Sequence, residues 1–115
     1  MDAELEKEPA ILAVLDRLRL TLGRHAFVLA DHWESDVCAV GIASPQNSGV
    51  LVYIACYRET PGYYDFELEL PPLPDDDFVY RVAGIGSGVS FEELAGVVAG
   101  HLKHAESVTA PDLAD

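Results

Sequence analysis

The chain has 115 residues, half of them hydrophobic, with 20 acidic side chains against 7 basic ones and a formal net charge of −13. That length and composition suit a single domain with a real core and exclude a disordered polypeptide. No apolar run nears the roughly 20 residues a bilayer span requires. The start "MDAELEKEPA" also lacks the basic residues of a secretory signal, so a cytoplasmic protein is expected.

The first element in chain order is an amphipathic helix over 9–22. Pro9 suits its first turn and Gly23 its left-handed end. Ile11, Leu12, Leu15, Leu18 and Leu22 recur at helical spacing on one face, and Leu20 falls opposite them. From Ala26 the period changes to two. "HAFVLA" reads as a short strand, interrupted by "HWESD". "VCAVGIA" and "VLVYIACY" flank "SPQNSG", whose residues favour turns, and the pair is predicted as a β-hairpin.

"YDFELEL" follows, with Tyr64, Phe66, Leu68 and Leu70 alternating against Asp65, Glu67 and Glu69 as in a half-buried strand. "PPLPDDD" ends it, because proline offers no ladder donor. "FVYRVAG" is predicted as the fifth strand. The last element starts at Ser90, since "SFEE" places Glu93 where a capping box needs it. Phe91, Leu94, Ala95, Val98 and Leu102 then form an apolar stripe ending near Ala105, with "ESVTAPDLAD" as a tail. The expected architecture is α+β: about five strands, mainly antiparallel, with N- and C-terminal helices packed on one face. It would form one domain over 1–115, with an ordered core over about 9–105 and acidic tails.

Motifs for chemistry are weak. In "GIGSGV", Gly84 and Gly86 occupy the first two positions of a dinucleotide fingerprint, but Val89 stands at the sixth. A phosphate loop needs a lysine, and none lies between Lys7 and Lys103. Glu92 and Glu93 already place negative charge at the helix start. The three glycines, Gly84, Gly86 and Gly88, are therefore expected to supply positive φ and close packing where strand turns into helix. His101 and His104 are spaced to share a metal, yet His101 falls inside the apolar stripe, where a hydrogen-bonded core histidine is the commoner outcome. Cys38 and Cys56 sit in apolar strands, a poor setting for a nucleophile. Whether they share a sheet face depends on the loop length between them. No enzyme, cofactor or metal site is expected.

The charge is uneven. Between Asp31 and Asp77 lie ten acids and one base, Arg58. Such a field repels nucleic acid and attracts a basic protein. Trp33, Tyr57, Tyr63 and Tyr64 stand in or beside these acidic segments, where aromatic rings give contact area and carboxylates give steering. The expected partner-binding set is Trp33, Glu34, Asp36, Tyr57, Tyr64, Asp65, Glu67 and Glu69.

The stretches "WESDVCAVGIASPQNSGVLVYIA", "YYDFELEL" and "SFEELAGVVAGHL" resemble small acidic bacterial proteins of the immunity type. The resemblance implies a non-enzymatic protein that neutralises a toxin, often a basic nuclease, by direct binding. An alternative is a small homodimeric chaperone or adaptor that takes an apolar client segment. Secretion chaperones usually place a helix in mid-sheet, and "ETPGYYDFELELPPLPDDD" leaves no room for one. A third class is a small-ligand or metal-binding domain using the histidines.

Overall fold

The computed structural model describes residues 7–30, 36–57, 60–75, 77 and 80–114, with side chains as far as Lys103. Helix α1 (Pro9–Leu22) is followed by strands β1 (Val28–Leu29), β2 (Ala39–Ala43), β3 (Leu51–Ala55), β4 (Tyr64–Leu70) and β5 (Arg81–Val89), then by helix α2 (Phe91–Ala114). The strands form one sheet in the order β1-β2-β3-β4-β5, and every neighbouring pair is antiparallel. Both helices pack on the same side of it, the α+β arrangement that the periodicity predicts.

Side-chain alternation explains the layering. Val40, Ile42, Val52, Ile54, Tyr64 and Phe66 point to one side. They join Ile11, Val14, Leu15 and Leu18 of α1 and Phe91, Leu94, Ala95, Val98 and Leu102 of α2 in a single core. Val14 belongs to the buried face of α1, whereas Leu12 is only half-buried; Leu20 is 86% exposed. Arg17 bridges the helices, its guanidinium carbon 3.8 Å from the centre of the Phe91 ring. This is a cation–π contact that also covers the ring with the arginine stem.

The turn after β2 uses its own polar side chains. Ser44 Oγ accepts from Gln46 N–H at 3.0 Å, and Asn47 Oδ1 accepts from Gly49 N–H at 2.9 Å. At the end of α1, Gly23 N–H donates to Arg19 O at 2.9 Å. Gly23 has φ 111° but ψ 150°, so the chain leaves the helix extended rather than through the expected left-handed turn. Ser90 caps α2 as predicted, its Oγ accepting from Glu93 N–H at 3.2 Å.

Three boundaries differ from the sequence expectation. The first strand is reduced to two residues. The fifth strand lies later than "FVYRVAG": it runs from Arg81 through all three glycines to Val89, while Phe78 and Val79 lie outside the described residues. Gly84 and Gly86 are thus strand residues, and of the three only Gly88, with φ 65°, has a positive φ. Gly86 is glycine because a methyl there would overlap the Phe66 ring. Helix α2 continues to Ala114, past the expected end near Ala105. No glycine or proline follows Gly100 until Pro111, so the backbone has no stop signal at 105. Among the described residues no helix is long and apolar enough to cross a membrane.

Candidate functional site

The side of the sheet away from the helices is built in cross-strand rows. Strand register places Gly41, Tyr53, Glu67 and Ile85 in one row, with Ala39, Ala55 and Asp65 on one flank and Ala43, Leu51, Glu69 and Val82 on the other. On β2 and β3 this side is made mostly of small residues, and Ala39, Ala43, Leu51 and Ala55 are buried. Exposure rises across the sheet: Asp65 and Glu67 are half-buried, and Val82 and Ile85 are open to solvent.

Alternation on β4 brings Asp65, Glu67 and Glu69 to this one side. Each is held differently. Asp65 Oδ1 accepts from Ser87 Oγ at 3.0 Å and from Gly88 N–H at 2.9 Å. It thereby secures the irregular end of β5, where Tyr64 pairs with Val89 but Phe66 already pairs with Gly86. Glu69 is 8% exposed and hydrogen-bonded to Glu67. Burial first, then the hydrogen bond and charge of Glu67, push the Glu69 carboxyl up to about 7. Near neutral pH the Glu69 carboxyl therefore keeps its proton for much of the time. Among the described residues no cation forms an ion pair with Asp36, Asp65, Glu67 or Glu69. Arg17 is spent on Phe91, and Arg81 Nε donates to Pro71 O at 2.9 Å.

Tyr53 lies beside the carboxylates and is hydrogen-bonded to Tyr57. Burial is the main reason its hydroxyl is pushed up to about 12, with Tyr57, Asp36 and Asp65 adding to the effect. Asp36 closes the turn into β2, its Oδ1 accepting from Cys38 N–H at 3.0 Å. Lys7 Nζ donates to the Asp36 carbonyl at 2.8 Å.

Of the residues expected to bind a partner, Asp36, Tyr57, Asp65, Glu67 and Glu69 gather on or beside this side of the sheet. Trp33 and Glu34 lie outside the described residues. Tyr64 faces the helices instead: it is buried in the core, hydrogen-bonded to Arg17, and its hydroxyl is pushed up by burial. That placement follows from its parity with Phe66 on β4. Tyr53 was missed because its strand, "VLVYIACY", is apolar throughout and shows no alternation to reveal which residues turn outward.

His101 sits inside the fold, its Nε2 2.9 Å from the Glu69 carbonyl oxygen, tying α2 to β4. Cys38 and Cys56 are direct cross-strand neighbours, with Cys56 N–H donating to Cys38 O at 3.0 Å, so they do share a sheet face. Both thiols are free, and burial, then the neighbouring Cys38, pushes the Cys56 thiol up. They line a cleft of about 350 Å³ with Pro9, Tyr57, Pro61 and Tyr64. Compared with protein-family models, curated proteins and solved structures, the chain matches none.

Proposed function

We propose that this is a non-enzymatic binding domain whose acidic sheet side docks a basic protein. One observation carries the reading: Asp65, Glu67 and Glu69 stand on one side of a single strand, and no described cation answers them. Like charges held that close repel, and that repulsion adds to the burial that raises Glu69. A lysine or arginine from a partner would relieve it and gain a charge-assisted hydrogen bond. Tyr57 beside them would add contact area. The acidity of the chain as a whole would steer such a partner inward and repel nucleic acid. An immunity-type role, in which the basic partner is a toxin, is the form of this function that the sequence resemblance supports.

The test is a binding titration with an arginine-rich peptide. Affinity should fall steeply as salt rises from about 50 to about 300 mM, as expected for exposed charges. Glu67→Lys should weaken binding about tenfold or more, whereas Glu92→Lys, an equal charge change on exposed α2, should alter it little. Equal loss in both variants would mean that only net charge matters and would overturn the site. Binding that ignores salt would point to an apolar client instead.

A further inference from the structure

Strand β5 is the last in the sheet, and among the described residues its outer edge faces no other strand. The hydrogen-bonding pattern shows which of its groups are left over. In the first hairpin Cys56 N–H meets Cys38 O and Ser44 N–H meets Val50 O, which makes 38/56, 40/54, 42/52 and 44/50 the hydrogen-bonded pairs. On β3 the alternate residues then serve β4 through 51/69, 53/67 and 55/65. On β4, Phe66 and Leu68 serve β5 through Gly86 and Gly84. Ile85, between those two glycines, therefore directs its own N–H and C=O away from the sheet. Among the described residues nothing takes them up. Its side chain, 71% exposed, stands on the acidic side in the row of Glu67.

Sheet edges are ordinarily blunted by brevity, proline or charge. The opposite edge, β1, is two residues long. Strand β5 has nine residues, no proline, and a single charge at its first position, Arg81. Irregularities at each end of the Gly84–Gly86 run limit the open stretch to a few residues.

We propose that this edge receives a short, extended, basic segment of a partner protein as a sixth strand. The proposal rests on the acidic-face reading and names its mode of binding. A residue hydrogen-bonded opposite Ile85 would turn its side chain to the same side as Ile85. Its backbone would lie two strand spacings, about 10 Å, from that of Glu67. A lysine or arginine bridges that gap across the Ile85 side chain, with its stem on the isoleucine and its charge at the carboxylate. Residues two before and two after it approach Asp65 and Glu69. A second copy of the chain is the poorer occupant, because pairing β5 with itself brings two acidic rows, and two chains of −13, together.

The probe is a synthetic peptide of about seven alternating lysines and valines, long enough to run beside β5 at roughly 3.4 Å per residue. Binding should slow hydrogen exchange at the Ile85 amide. N-methylating the peptide backbone at alternate positions, with every side chain kept, should weaken binding about tenfold or more, the loss of one or two backbone hydrogen bonds. Ile85→Pro, which removes the outward N–H together with the isoleucine side chain and spares the bonds to β4, should do the same in a protein that circular dichroism shows to be folded. If the methylated peptide binds as tightly, or the Ile85 amide stays unprotected, strand addition is overturned even where Glu67→Lys still abolishes binding and the acidic face survives. If the unmodified peptide does not bind, both readings fall. A dimer by sedimentation that Ile85→Pro dissociates would assign the edge to a second copy and overturn the proposal.

Discussion

Glu69 is the residue at which fold and charge conflict most directly. Its folded-state value of about 7 lies above its ordinary value of 4.5. Between those values the folded chain holds a proton that the unfolded chain has released, so stability falls as pH rises through the window and levels off above it. Glu69→Gln removes that loss. At pH 8 the variant should be more stable than the parent by on the order of 1 kcal/mol. Near pH 4 the two should unfold alike. Parallel urea curves for parent and variant across the whole range would sink this account of the pair. Gly86 poses a steric question instead. Gly86→Ala should cost about 1–3 kcal/mol by forcing the Phe66 ring aside. Gly84→Ala meets only the end of the Leu68 side chain, at 3.3 Å, and should stay within about 1 kcal/mol of the parent. Denaturant unfolding of the two variants separates these outcomes.

At the scale of elements, legibility followed the strength of alternation. β4 reads from sequence because four apolar and three acidic residues take turns, and the same pattern placed Asp65, Glu67 and Glu69 together. β2 and β3 are buried on nearly every residue, so their sequences announce strands without saying which side chains face which way. Tyr53 was hidden for that reason. Strand β5 was placed too early because its glycines resemble a joint. The cause of Gly86 is a neighbour, the Phe66 ring, which lies 20 residues earlier and which no local pattern can reveal. Tyr64 shows the converse error: its acidic neighbours suggested the surface, while its parity on β4 commits it to the core. The cap on α2 was legible because Ser90 and Glu93 are close in sequence.

For the molecule as a whole, charge opposes compactness. A chain of −13 repels itself more strongly folded than unfolded, and added salt screens that repulsion. Raising sodium chloride from about 10 to about 200 mM should raise Tm by several degrees, on the order of 1 kcal/mol. A Tm that salt leaves unchanged would mean the acids are too dispersed to act together. The order of the strands has a different consequence. Because each strand pairs with the one before it, the sheet can assemble hairpin by hairpin while the chain is still being synthesised. Its apolar side, however, is shared between a helix made before the first strand and one made after the last. Until the ribosome has released Leu102, the part of that oily layer that α2 covers is open. The interval between finishing β5 and closing α2 over it is when the nascent polypeptide is most exposed to aggregation and most in need of a chaperone.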